Sequence, residues 1–372
     1  MKLSMMQGSR ENAVVKRVRF DHYKRVIVTS DIHGDKDGLA GMLQQVHFSH
    51  EDGLVLVGDL IERGAHSLEL LRMVLQYAKA GNVYAVEGNN DAVFIDWYAG
   101  RISDEDICRY VNGRKNSLIL DMAMELEMKY ETVEDIKRLK AVLGEAFREE
   151  IEFLQSLPQV IESELAVFVH AGIRPGDLRK QDPEYCMTAP EFGRQPYCFK
   201  KTVVVGHWPV SNYSDCVISV NPYWNHKSNV ISIDGGNSMK RWQQINYLIF
   251  EKGTIQFGYY DQLPKIHALD SQEESQEPFT LLFPHTRIDS MREMREGNYC
   301  VFSSLNKELL IAKDRIYRYK GTYYCYDFTT YCLPVRAGER LSYCGKEGAG
   351  ILVKRDGIVG NYYGRYELLH DL

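Results

Sequence analysis

Val26-Ile27-Val28-Thr29-Ser30-Asp31-Ile32-His33-Gly34 reads as a short buried strand that runs directly into a polar turn. Its first four residues are all β-branched, as suits a strand covered on both faces. Where the run stops, an aspartate and a histidine follow two residues apart, with glycine next. The same order recurs along the chain. Leu54-Val55-Leu56-Val57 leads into Gly58-Asp59-Leu60-Ile61-Glu62-Arg63-Gly64, and residues 83–86 lead to Gly88-Asn89-Asn90-Asp91. Residues 165–169 end at His170-Ala171-Gly172, residues 203–205 at Gly206-His207, and residues 230–233 form a sixth run of this type. Between the runs lie amphipathic stretches such as 67–77, where Leu68, Leu71 and Leu75 recur at helical spacing and Ser67 is the expected N-cap. Short apolar strands alternating with helical patterns predict a layered α/β fold.

This alternation predicts one α/β domain over residues 24–265, preceded by an N-terminal extension, 1–23. A charged helical block at about 103–157, closed by Pro158, reads as an insertion covering one side of the domain. Residues 247–250 and 254–257 predict a hairpin turning at Lys252-Gly253. The polar, acidic run 270–278 marks residues 266–285 as a linker. Beyond it, residues 286–372 predict a small all-β module: residues 299–366 hold eleven of the 24 tyrosines, among strand-like runs and turn glycines. The stretch 356–365 loosely resembles small SH3-like barrels, and its tyrosines are read first as cross-strand packing.

The chain has 372 residues with a formal net charge of -6, which gives no global attraction to nucleic acid or to anionic membranes. No apolar run approaches the roughly 18 residues of a membrane span, and the N-terminus lacks a secretory apolar core. The eight cysteines form no C-x-x-C pair and are expected as reduced thiols in a cytoplasmic protein.

In open α/β sheets, functional groups gather beyond the carboxyl ends of the strands. Asp31, His33, Asp59, Asn89, His170 and His207 would therefore converge. Carboxylate, imidazole and amide ligands together suit manganese, iron, zinc or nickel. Taken singly, each is more simply a turn aspartate or a satisfied histidine. Five successive strand ends carrying such a residue beside glycine argue for a common site.

The series Asp-x-His-Gly, Gly-Asp-x-x-Glu-Arg-Gly, Gly-Asn-x-Asp, His-Ala-Gly and Gly-His resembles the calcineurin-like metallophosphoesterases over roughly residues 24–260. Within them it is most similar to the serine/threonine phosphoprotein phosphatase branch, which includes bacterial protein phosphatases and symmetrical diadenosine tetraphosphatases. Pro209, where a broader diesterase branch has a second histidine, favours that branch. The resemblance implies a β-sandwich flanked by helices and two divalent metal ions, with manganese expected to serve in vitro. Asp31 and His33 would hold the first metal, Asp59 would bridge, and Asn89, His170 and His207 would complete the second. Two metals about 3.5–4 Å apart can share a hydroxide and clamp a phosphoryl group for in-line attack. Arg63 would bind phosphate oxygens.

Two departures from the family pattern bear on catalysis. Asn90 stands where the family has a histidine that protonates the leaving group, and Glu62 stands where an aspartate orients that histidine. An amide cannot donate that proton, whose transfer is typically worth about 10²–10⁴-fold. Three readings stay open: substrates with good leaving groups, another acid among Asp91, His66 and Glu62, or a site without turnover. In residues 187–192, Ala189 stands where relatives place a phosphate-binding arginine, leaving Arg179 or Arg194 as substitutes. The first expectation is a phosphatase for phosphate monoesters, phosphoprotein included. The second is a phosphodiesterase or dinucleoside polyphosphate hydrolase. The third is a metal- and phosphate-binding scaffold whose β module engages a protein partner.

Overall fold

The computed structural model describes residues 11–295, 297–302 and 305–369. The first ten residues of the expected extension and the last three of the expected module lie outside them. The chain forms two compact units. One comprises the residues up to Val210 together with Asn221–Gln262, the other Ser211–Val220 together with the residues from Leu263 onward.

Two sheets make up the first unit. Strand Arg25–Thr29 pairs in parallel with Asp52–Leu56, which pairs in parallel with Val83–Ala85. On its other side Arg25–Thr29 meets Ile245–Glu251, whose hairpin partner is Thr254–Tyr260. The hairpin turns through Lys252 (φ 49°) and Gly253 (φ 77°), the double left-handed conformation that matches the twist of its strands. The second sheet runs in the order Val15–Arg17, Val160–Glu162, Val167–Val169, Val203–Val205, Val230–Ser232 and Tyr223–Asn225. Part of the expected N-terminal extension is thus an edge strand, paired in parallel from Val15 to Val160.

Side-chain alternation sorts these strands into layers. Val26, Val28 and Val55 share a core with Phe168, Val204 and Ile231 of the second sheet, so the two sheets face each other. Ile27, Leu54 and Leu56 point the other way, into a cluster with Leu71 and Trp97 and with residues of helices Leu118–Glu125 and Val133–Ala146. Val167, Val169 and Val203 pack outward against Cys186 and Phe192. The unit is a β-sandwich with helices outside it. The expected helical block is four helices: Asp104–Asn112, Leu118–Glu125, Val133–Ala146 and Arg148–Gln155.

Helix Ser67–Lys79 starts differently from its sequence expectation. His66 occupies the N-cap position without a side-chain cap bond. The Ser67 hydroxyl accepts from the Glu62 N–H at 3.0 Å, and Asp121 from helix Leu118–Glu125 accepts the Leu68 N–H at 3.1 Å. A carboxylate from another helix therefore satisfies an N-terminal donor that the adjacent serine leaves open.

The second unit is all-β and antiparallel. Its largest sheet orders Tyr366–Leu369, Lys265–Ala268, Arg340–Glu347, Gly350–Arg355, Ile358–Tyr362 and Ile218–Ser219. Residues 266–285, expected as a linker, contribute to this unit. Ile266 and Ala268 are fully buried, and the Asp270 carboxylate forms a two-pronged pair with the Arg365 guanidinium at 3.0 and 2.8 Å. The Gln272 side chain donates to the carbonyls of Leu333 and Asn361, each at 2.8 Å. These polar side chains bond the backbone of neighbouring segments, a use that leaves no hydrophobic period. No described helix is long and apolar enough to cross a membrane. All eight cysteines are free thiols.

Candidate metal centre

Three parallel strands of each sheet end at the same place. Arg25–Thr29 delivers Asp31 and His33, Asp52–Leu56 delivers Asp59, Glu62 and Arg63, and Val83–Ala85 delivers Asn89. From the other sheet, Val167–Val169 delivers His170, Val203–Val205 delivers His207, and Val230–Ser232 delivers Asp234. Six of these residues have positive φ: Asp31 (55°), His33 (52°), Asp59 (53°), Glu62 (73°), Arg63 (71°) and His207 (65°). L-residues in that region each cost on the order of 1–3 kcal/mol, which the surroundings must offset. The glycines beside them have a steric reason. A Cβ on Gly206 would stand 2.2 Å from Asp31 Oδ2, and one on Gly58 (φ 82°) would stand 2.5 Å from His170 Nδ1.

The ligand atoms of Asp31, Asp59 and His170 lie within 4.8 Å of one another, and all three residues are buried. Asp59 Oδ2 is 3.5 Å from His170 Nε2 and 3.7 Å from His33 Nε2. His33 Nε2 stands 3.9 Å from Asp31 Oδ1, and Asn89 Oδ1 is 3.2 Å from His170 Nε2. The ring centres of His170 and His207 are 5.1 Å apart. The structure thus brings Asp31, His33, Asp59, Asn89, His170 and His207 to one centre.

Backbone bonds fix which atoms face inward. His170 Nδ1 lies 2.9 Å from the Val57 carbonyl, which can only accept, so Nδ1 carries a proton and Nε2 faces Asp59 and Asn89. A backbone partner that orients a ligand imidazole in this way is a usual feature of metal sites. The His207 N–H donates to both Asp31 oxygens, at 3.2 and 3.0 Å.

Charge is concentrated here with little water to screen it. Burial, followed by the Asp234 carboxylate, raises Asp31 well above the usual carboxylate range. Burial would raise Asp59 too, but His170, His33 and the Asn90 N–H hold it well below that range. Burial opposes protonation of His170, yet Asp59 and Asp31 push it up to about 10. Burial lowers His33 to about 4 and His207 to about 3, and the Arg63 charge adds to both effects. The unprotonated His33 and His207 imidazoles beside packed carboxylates form a donor set that a divalent cation satisfies better than protons do.

Asp234 was not anticipated as part of this site. It is fully buried and pushed up to about 6, chiefly by burial, with Asp59 adding to the shift. Its signal was the Asp234-Gly235-Gly236 that ends the sixth strand run. Asn237 was missed as well; its amide donates to the Ile32 carbonyl at 2.8 Å and braces the turn between Asp31 and His33.

The candidate acids are placed differently from one another. The Asn90 side chain donates to Asp59 Oδ2 at 2.6 Å, and its backbone N–H donates to Oδ1 at 2.8 Å. Asp91 accepts the Gly88 N–H at 2.9 Å on one oxygen and the Leu60 and Ile61 N–H groups, at 2.9 and 3.2 Å, on the other. Burial, with Asp59 next, raises Asp91 to about 7, but its geometry is that of a brace between two strand ends. His66 is half exposed and stands 3.4 Å from Glu69.

Glu62 turns toward the helical insertion. Its Oε2 accepts from the Tyr110 hydroxyl at 2.9 Å, and its Oε1 accepts from the Ser117 hydroxyl and the Leu118 N–H, both at 3.0 Å. Burial raises its pKa. Glu62→Gln would set an amide N–H₂ against groups that donate, so it should cost about 1–3 kcal/mol of stability. Chemical denaturation checks this; an unchanged midpoint would show that these bonds contribute nothing.

Arg63 Nε is buried without a protein partner, and the Arg63 carbonyl accepts from the Asn116 amide at 2.9 Å. Ala189 is buried at the end of helix Pro183–Thr188, and the exposed Arg179 pairs with Asp177 at 3.0 Å. Arg194 is exposed in the short helix Phe192–Arg194.

The chain is similar to several known proteins. An asymmetrical bis(5'-nucleosyl)-tetraphosphatase of Halalkalibacterium halodurans is 28% identical over 160 residues, covering 41% of this chain and 58% of that protein. A symmetrical bis(5'-nucleosyl)-tetraphosphatase of Erwinia tasmaniensis is 34% identical over 146 residues, covering 39% of this chain and 43% of that protein. The chain thus spans about half the length of these curated relatives. A protein serine/threonine phosphatase structure from Saccharomyces cerevisiae is 10% identical with a TM-score of 0.41, covering 68% of this chain and 84% of that one. The family profile described as calcineurin-like phosphoesterase matches residues 24–219, more than half of the chain. With the strand-end motifs and the buried donor set, this match means that the chain belongs to the calcineurin-like phosphoesterase family.

Proposed function

We propose that this protein is a metal-dependent phosphoesterase specialised for good leaving groups, with the phosphoanhydride bonds of dinucleoside polyphosphates as its substrate class. The observation that carries the reading is Asn90: at the position of the family's proton-donating histidine, an amide lies 2.6 Å from Asp59 Oδ2. Relatives named as tetraphosphatases support the same class. The reading moves weight from the phosphomonoesters expected first to the dinucleoside polyphosphates expected second.

Asp31, His33, Asp59, Asn89, His170 and His207 would hold two divalent ions, which when bound supply Lewis acidity and a nucleophile at neutral pH. Arg63 binds the non-bridging oxygens of the attacked phosphoryl group through its planar, permanently charged fork. The strained backbone at Glu62 and Arg63 is held by the Ser67 hydroxyl on the Glu62 N–H and by Asn116 on the Arg63 carbonyl. The site is thereby organised before substrate arrives. As water adds to phosphorus and the bond to the leaving oxygen breaks, Asn90 can donate a hydrogen bond to that oxygen but no proton. A nucleotide phosphate leaves as an anion and needs none, whereas an alkoxide does.

Side-by-side kinetics with manganese test the reading. Diadenosine tetraphosphate should exceed phosphoserine in kcat/KM by about 10²-fold or more, the scale of general-acid assistance. Equal rates on the two substrates would overturn it.

A further inference from the structure

In the helical insertion, a loop of residues 113–117 joins helix Asp104–Asn112 to helix Leu118–Glu125 and carries Arg114. This loop is fastened to the strand-end turn that holds Glu62 and Arg63. The Asn116 amide donates to the Arg63 carbonyl at 2.9 Å, and the Ser117 hydroxyl and the Leu118 N–H both donate to Glu62 Oε1 at 3.0 Å. A fourth bond comes from the helix before the loop, where the Tyr110 hydroxyl donates to Glu62 Oε2 at 2.9 Å. Glu62, Tyr110 and Ser117 are buried, so the bonds among them form away from competing water.

The fastening sets a second guanidinium near the first. Arg114 lies over the Tyr110 ring, 4.0 Å from its centre. Burial, then the Glu62 carboxylate, raises the pKa of the Tyr110 hydroxyl, and the charges of both Arg114 and Arg63 oppose that rise. Two cations thus act on one hydroxyl.

Neither cation is paired with a carboxylate. Arg63 Nε is buried without a protein partner. The half-buried Arg114 side chain forms no ion pair or hydrogen bond among the described residues. Glu62 is within reach of the Arg114 charge, but its two oxygens already accept three bonds. Stacking on Tyr110 occupies one face of the Arg114 guanidinium and leaves the N–H donors at its edge unused. A planar cation with unused donors, held close to a phosphate-binding arginine, suits a second phosphate group.

We propose that Arg114 binds the phosphate next to the one attacked, so that Arg63 and Arg114 grip two consecutive phosphates of a polyphosphate chain. The inference rests on the phosphoanhydride reading of the site and adds to it a residue that favours polyphosphates over single phosphate esters. The neighbouring phosphate carries its charge before and after the bond breaks. Its contact with Arg114 therefore acts on ground and transition states alike, and losing it raises KM more than it lowers kcat.

The test uses the manganese-loaded full chain and a methylene-bridged analogue of diadenosine tetraphosphate, whose binding is followed by calorimetry without turnover. Arg114→Ala should weaken analogue binding at least about tenfold, the scale of charge-assisted hydrogen bonds. Arg114→Lys restores the charge but not the stacked fork, and should recover part of that loss. In kinetics, Arg114→Ala should raise KM for diadenosine tetraphosphate at least about five times more than KM for p-nitrophenyl phosphate, which has no second phosphate. Denaturation midpoints of both variants should match the parent, which keeps lost binding distinct from lost folding. Arg114→Ala binding the analogue like the parent would overturn the second phosphate contact and leave the substrate reading standing. Equal rises in KM on the two substrates would overturn it too, since the loss would then come through Tyr110 and Glu62. A parent that turns over phosphoserine as well as diadenosine tetraphosphate would defeat the substrate reading, whereas loss of analogue affinity in Arg114→Ala would still support the contact.

Discussion

Asp59→Asn is expected to lower manganese-stimulated hydrolysis of diadenosine tetraphosphate by more than about 10³-fold. Its carboxylate is the group on which the site converges: Oδ2 lies 3.5 Å from His170 Nε2 and 3.7 Å from His33 Nε2. Asp59 also belongs to the buried trio whose ligand atoms lie within 4.8 Å of one another. The substitution preserves size and can keep the bond from the Asn90 N–H, so the strand end need not move. What it removes is the negative charge that lies between two imidazoles. Loss of one hydrogen-bond donor to a developing charge already costs about 10²–10³-fold in other enzymes. Loss of a shared metal ligand should cost more. Initial rates across a manganese titration check this, and a variant keeping a tenth of the parent rate would remove Asp59 from the centre of the account.

Asn90→His is expected to act in the opposite direction, and selectively. On an alkyl phosphomonoester the imidazole can protonate the leaving alkoxide, and turnover should rise about 10²-fold, the low end of general-acid effects. The low end is expected because Glu62, which stands at the position of the orienting carboxylate, is already bonded to Tyr110, Ser117 and Leu118. A new histidine would lack a carboxylate to hold its tautomer. On diadenosine tetraphosphate the gain should be within a factor of about two, since that leaving group needs little protonation. The rise on the monoester should fade as pH passes the new imidazole's pKa. Equal gains on both substrates would mean that Asn90 limits something other than proton donation.

Much of this site could be read from the sequence because parallel strands place residues of distant sequence position at one end of a sheet. Asp31, His33, Asp59, Asn89, His170 and His207 each follow an apolar run, and the structure brings all six together. Asp234 follows the same rule at the sixth strand; its signal was an aspartate before two glycines, a pattern that also marks an ordinary turn. The bonding of Glu62 was not legible. Tyr110, Ser117 and Leu118 lie 48, 55 and 56 residues away in the helical insertion, with no periodicity to link them. Nor could the sequence show that Asp91 would bond three backbone N–H groups instead of facing a leaving group. In the second unit, polar residues such as Asp270 and Gln272 resembled a linker because their bonds go to backbone and to Arg365, which hydrophobic patterning does not register.

Anomalous diffraction from crystals soaked in manganese tests the central claim most directly. Two peaks per chain are expected about 3.5–4 Å apart, with the Asp59 carboxylate between them. A single peak, or none within reach of Asp59, would contradict it.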